Sequence, residues 1–290
     1  MIAVFVRELR SYFENITGFV FMGFFLLLSG IFFVFNNLIT QSPNYNGLLG
    51  TITFIFLIVV PILTMRLLSD EARQKTDQLL LTSPLSLTGM VLGKYLSAVA
   101  VFLLTVIVTF VYPIMLSMAG SIVVSEIIGG YIGFFLLGTA FIAVGLFVSS
   151  LTDNQVIAAV VTFAALLIMW IIDALQQGLP ADALSGAAFG AILVVGVAVF
   201  LYFNLRNWVV SVATALVGGG VIALFYFVIG AKAANFDGFI VKVLKWFSLL
   251  ERYQDFSLGI LGLSPVVYYL SFSAVFVFLT VRVIEKRRWQ

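Results

Sequence analysis

The 290 residues carry a formal net charge of +2, with 10% of positions charged, 62% hydrophobic and a mean hydropathy of +1.18. Soluble domains are about one quarter charged, so these charges cannot coat a water-facing surface of this size, and lipid must cover most of it. Cysteine and histidine are both absent, which excludes disulfides, thiolate metal sites, cysteine nucleophiles and imidazole acid–base chemistry. So slight an excess of positive charge also argues against a nucleic-acid partner.

At the N-terminus, Phe5, Leu9, Tyr12, Phe13 and Ile16 recur at helical spacing, while Arg7, Arg10, Ser11 and Glu14 take the opposite side. This predicts an amphipathic helix over 1–16 lying on the inner membrane face, with Phe5, Arg7, Leu9, Arg10 and Phe13 as its membrane-surface residues. A cleavable signal does not fit, because the basic residues follow the first apolar ones and no small-residue cleavage site comes after them.

Uncharged apolar runs long enough to cross a hydrocarbon core then follow at Gly18–Leu38, Leu48–Met65, Tyr95–Met118, Ile127–Ser149, Gln155–Ile172, Ala187–Leu205, Trp208–Gly230 and Pro265–Val281. They predict an all-α, polytopic helical bundle in one membrane domain, 1–290. The expected number of spans is eight, falling to six if 187–230 forms a re-entrant hairpin. An even number puts both termini on one side. That side collects Arg7, Arg10, Arg66, Arg73, Lys75, Lys94, Arg206, Arg282, Lys286, Arg287 and Arg288, and the other has Lys232, Lys242, Lys245 and Arg252. The bias makes the termini cytoplasmic.

Two further stretches are neither span nor plain loop. From Ser69 to Leu81 the chain reads as a short charged cytoplasmic helix. Ser69 is its expected cap, Asp70 and Glu71 lie in its first turn, and Ser83–Pro84 stops it. Within an extracytoplasmic segment, 231–264, the residues Phe236, Phe239, Ile240, Val243, Leu244 and Phe247 follow the i, i+3, i+4, i+7 rule and predict an amphipathic helix on the outer face.

Candidate chemistry is sparse. The run Gly89-Met-Val-Leu-Gly93-Lys94 lacks one inter-glycine residue of a phosphate loop and has Tyr95 where Ser or Thr would hold magnesium. It reads instead as a helix start with Lys94 at the membrane edge. Asn15-Ile-Thr17 matches a glycosylation acceptor but falls on the cytoplasmic side. Gly186-Ala-Ala-Phe-Gly190 suits close helix packing. Arg66, Asp173 and Arg282 lie near span ends, so the interior offers no ion-coupling site of the kind a secondary transporter needs. No cofactor site is expected in this chain.

The cytoplasmic segment carries the most specific pattern. Arg66-Leu-Leu-Ser-Asp-Glu71-Ala-Arg-Gln-Lys75-Thr76-Asp-Gln-Leu79-Leu80-Leu-Thr-Ser83-Pro84-Leu-Ser86, followed by Gly93-Lys94-Tyr95, resembles the ABC-2 type permeases. The gliding-motility and nitrous-oxide-maturation subunits look most similar. The N-terminal helix and the basic end Glu285-Lys-Arg-Arg-Trp289 fit the same pattern. The resemblance implies the bundle of an ABC-2 permease in the inner (cytoplasmic) membrane, paired with a second, identical or related permease subunit. A separate cytoplasmic ABC ATPase would bind ATP and magnesium. It would dock on the coupling helix 69–84 through Glu71, Lys75, Thr76, Leu79, Leu80, Ser83 and Pro84. Permeases of this type have six spans, and the pair at 187–230 departs from that.

The function expected is the transmembrane subunit of an ATP-driven exporter, without a nucleotide site of its own. A rival reading is a non-transporting subunit that passes ATPase motion to an extracytoplasmic binding partner at 231–264. A channel or secondary transporter comes third.

Overall fold

A computed structural model describes residues 1–74, 86–120, 123–178, 191, 194–195, 216–220, 245 and 248–288. The regular structure among these residues is all helical, and six stretches are long and apolar enough to cross a membrane: Ile16–Ile39, Tyr45–Gln74, Leu87–Met118, Val124–Leu151, Gln155–Asp173 and Leu263–Arg287. They match six of the eight expected spans. The expected pair Ala187–Leu205 and Trp208–Gly230 lies almost wholly outside the described residues, as does the helix expected over 236–247. The chain divides into two compact units, one comprising Met1–Met169 with Leu249–Gln290, the other Trp170–Ser248.

In the first unit, helix α1 (Ile2–Glu14) is followed at once by α2 (Ile16–Phe33), which widens into a π-helix at Val34–Ile39. Asn37, 2% exposed, donates its amide to the carbonyls of Ser42 and Asn44 and so draws the outgoing loop back onto the helix end. Gln41 closes this turn with φ of 52°, a left-handed conformation that few side chains other than Asn and Asp adopt readily.

The second span is made of pieces: α3 (Tyr45–Ile52), a 3₁₀ turn at Thr53–Ile55, α4 (Phe56–Thr64) and, after one further turn, α5 (Ser69–Gln74). Asn44 caps α3 by accepting from the Gly47 N–H at 2.9 Å. Pro61 inside α4 donates no hydrogen bond, so the backbone ladder is interrupted where the sequence reads as a continuous run. The third span begins at α6 (Leu87–Thr109), capped by Ser86, and breaks at Phe110 before α7 (Val111–Ala119). The break is accounted for by Pro113, whose ring crowds the Thr109 carbonyl one turn back.

Helix α8 (Val124–Leu151) is the centre of the unit, buried along most of its length. It packs against α3, α4, α5, α6, α10 (Leu249–Ser257) and α11 (Leu263–Arg288). Lipid tails are as apolar as the side chains themselves, so these contacts depend on fit rather than on escape from water. Glycines supply the fit: a Cβ on Gly138 would strike the Phe102 ring, and one on Gly145 would strike Thr64. Around them Phe25, Phe56, Phe102, Phe134 and Phe141 are each no more than 1% exposed. Phe56 and Phe134 approach to 4.6 Å between centroids, and Phe56 meets Phe102 edge-on at 5.5 Å, a geometry worth about 0.5–1.5 kcal/mol per pair beyond area alone.

Helix α10, from the segment expected to lie outside, is folded into this bundle, with Leu249, Tyr253 and Phe256 buried. Phe256 sits over Gly133, and Tyr269 of α11 donates its hydroxyl to the Leu249 carbonyl at 2.6 Å. Asn46 secures the same end by donating to the carbonyls of Glu126 and Ser257 at 2.9 and 2.8 Å. Helix α9 (Gln155–Gly178) provides the fifth span. In the second unit, Asp173 accepts from the Ser248 hydroxyl at 3.0 Å.

Candidate functional site

Helix α1 has three sides rather than the two expected. Val4, Glu8 and Tyr12, spaced four residues apart, turn toward the protein, with Val4 4% and Tyr12 7% exposed. Tyr12, expected on the lipid side, instead donates its hydroxyl to the Leu63 carbonyl at 2.8 Å. Burial holds its phenol well above the ordinary tyrosine range, so it stays a neutral donor. Phe5, Leu9 and Phe13 are half-buried, and Arg7 and Arg10 are exposed.

The helix docks on the start of α6. Ser86 accepts from the Gly89 N–H at 3.2 Å, and one turn on, the bare face of Gly93 lies where a Cβ would come within 3.0 Å of Met1 and Val4. The Gly-x-x-x-Gly spacing that fails as a phosphate loop is here a seat for α1.

This docking roofs over Lys94, which is 1% exposed rather than reaching water at the membrane edge. A buried ammonium costs several kcal/mol unless it is paired. Its partners are Glu8 at 3.1 Å and Glu71 at 2.9 Å. Arg7 closes the group, bonding Glu8 at 2.6 Å and Glu71 at 3.1 Å. The Glu8 hydrogen bond is the main reason the Arg7 guanidinium is held above its usual range. Among the described residues, two cations and two carboxylates from α1, α5 and α6 thus balance one another.

Helix α5 is pinned on its other sides too. Ser69 does not cap it, because its hydroxyl donates back to the Met65 carbonyl. The cap comes from Ser149 at the end of α8, whose oxygen accepts from the N–H groups of Leu68 and Ser69, each at 3.1 Å. Asp70 accepts from Gln155 of α9 at 2.6 Å and from Arg73 at 3.2 Å. Beside them Arg287 near the end of α11 pairs with Asp153 at 3.3 Å. Three transmembrane helices, α6, α8 and α9, and the surface helix therefore converge on α5.

Of the expected coupling residues, Glu71 lies in this node, turned toward Lys94 and Arg7 of its own chain. Lys75, Thr76, Leu79, Leu80, Ser83 and Pro84 lie outside the described residues, so the described part of the expected helix 69–84 is Ser69–Gln74. Sequence reading missed Glu8, Lys94, Ser149 and Gln155. One signal was available: a lysine within an otherwise uncharged apolar run needs a partner or a short route to water, and Glu8, on the Val4–Tyr12 stripe, was in reach.

Taken together, six apolar spans and a helix locked to the connection between the second and third spans define a multi-pass membrane protein that ties several spans to one point. The family model described as ABC-2 family transporter protein matches residues 7–176, more than half of the chain and all of the node except its last contact at Arg287. The chain belongs to the ABC-2 transporter family. The match is to the family at large and singles out no subfamily. No curated protein matches the chain. Members of this family are the transmembrane components of ABC transporters, and membership implies a cytoplasmic ABC ATPase as partner.

Proposed function

We propose that this chain is the membrane subunit of an exporter in the inner membrane. Both termini are cytoplasmic, and a separate ATPase binds ATP and magnesium and drives it through residues 69–84. The observation that carries this reading is the node at α5. A segment that merely linked two spans would not need a cap from α8, a hydrogen bond from α9, and ion pairs with α1 and α6. Anchored so, a push on the residues just after Gln74 reaches several spans at once. Contiguous polar contacts of this kind are how displacement passes between rigid elements. Glu71 acts inside the subunit, holding the node together, and Leu79 and Leu80 are the contacts offered to the ATPase.

A second permease subunit, identical or related, completes the transporter in this proposal. The reading as a subunit serving an outer partner through 231–264 has less support, because residues 249–257 present their apolar side chains to the bundle. Co-purification from native membranes tests the proposal. A chain with ABC ATPase motifs should travel with this subunit in stoichiometric amount, and isolation without any such chain would reject the ATP-driven reading.

A further inference from the structure

A cavity of about 620 Å³ lies beside the node, between α1, the first turn of α2 and the end of the second span. Its lining is almost wholly polar. The charged side chains in that wall are Arg7, Arg66, Lys94, Glu8, Asp70 and Glu71. Five of the six are committed: Arg7 and Lys94 to Glu8 and Glu71, and Asp70 to Arg73 and Gln155. Arg66 differs. It is exposed, and among the described residues its hydrogen-bond partner is a neutral one, the Thr17 hydroxyl at 2.6 Å. With Arg73 counted against Asp70, the described residues of the group carry one net positive charge, centred on Arg66.

We propose that this cavity binds the phosphate of an anionic phospholipid from the leaflet in which α1 lies. Arg66 is the first charge after the apolar run of the second span, and Thr17 stands in the first turn of the first span. A surface helix runs alongside. Together these set the guanidinium at headgroup depth, where basic pockets between spans capture anionic lipids. A guanidinium takes a phosphate by two parallel N–H···O bonds. Thr17 accepts from Arg66, which leaves its own hydroxyl hydrogen for a phosphate oxygen. The volume is that of a small-ligand site, ample for a glycerophosphate headgroup whose acyl chains stay in the bilayer. A lipid held there would bridge α1 to the first two spans and hold the roof over Lys94 closed.

The shared chemistry is a phosphate, and its source is separated by experiment. The full-length protein, purified in detergent, is titrated with phosphatidylglycerol, with phosphatidylcholine and with inorganic phosphate, and thermal unfolding and native mass spectrometry are read. The wild type should be stabilised by, and retain, phosphatidylglycerol over phosphatidylcholine, and should not respond to inorganic phosphate. Arg66→Gln should weaken phosphatidylglycerol retention by roughly tenfold, the size set by a charged hydrogen-bonded pair. Arg66→Lys should fall between the two, and it provides the reading if Arg66→Gln is not monodisperse. Arg10→Gln, on the water side of α1, should leave retention unchanged. Undiminished phosphatidylglycerol preference in both Arg66 variants would overturn the proposal. So would an equal, Arg66-dependent response to inorganic phosphate, which would mark a free-anion site instead.

Discussion

Removing the Lys94 ammonium takes the buried cation away from the Glu8 and Glu71 carboxylates, which keep their ion pairs to the half-exposed Arg7. Breaking one partner out of a buried ion group costs about 3–5 kcal/mol, whereas exposed pairs such as Arg10–Glu14 contribute little. Lys94→Met should therefore lower the thermal unfolding midpoint in detergent clearly, and Arg10→Met should barely move it. Combining Lys94→Met with Glu8→Gln should cost less than the sum of the two, because the second change removes a charge the first left stranded. A Lys94→Met protein as stable as the wild type would refute the ion cluster. The sequence points to Glu71 as a coupling residue and does not disclose its pairing with Arg7 and Lys94. It left Lys94 at the membrane edge because a lysine near a helix start normally finds water by extending its stem. What the residues alone do not disclose is that Gly93 lets α1 lie across that exit, a contact between positions nearly ninety apart.

The described part of helix α5, Ser69–Gln74, is held by contacts from α1, α6, α8 and α9. Ser149→Ala removes the acceptor for two N–H groups, at a cost of about 1 kcal/mol. Amide hydrogen exchange at Leu68 and Ser69 should speed up by about fivefold, with the interior of α8 unchanged. Unaltered exchange at both residues would show that the cap is not what holds the helix. Gly93→Leu is the matching test for α1: the side chain would strike Met1 and Val4. Protease cleavage within residues 1–14 should accelerate while the spans stay protected. Six spans were legible as elements because each is a long run without charge. Their interruptions were less so: a hydropathy pattern does not register the 3₁₀ turn at Thr53–Ile55 or the break at Phe110. Nor does it say that Tyr253 and Phe256 face a glycine-lined groove rather than an outer partner.

For the molecule as a whole, the proposed orientation rests on the distribution of lysine and arginine, and the absence of cysteine makes it simple to test. Single cysteines at Ala3 and at Gln290 should resist a membrane-impermeant thiol reagent in intact cells. Labelling of either would reverse the orientation. The central claim is that a separate ATPase drives this subunit through the chain that follows α5, and the contact pair proposed is Leu79–Leu80. Interface anchors of this kind lose on the order of 2 kcal/mol when truncated, about thirtyfold in affinity. The most direct measurement is ATPase binding and transport-coupled hydrolysis by reconstituted Leu79→Ala/Leu80→Ala protein. The result predicted is normal insertion and unfolding behaviour, with ATPase retention reduced by that factor and coupled hydrolysis lost. Full retention together with full coupled hydrolysis would contradict the account.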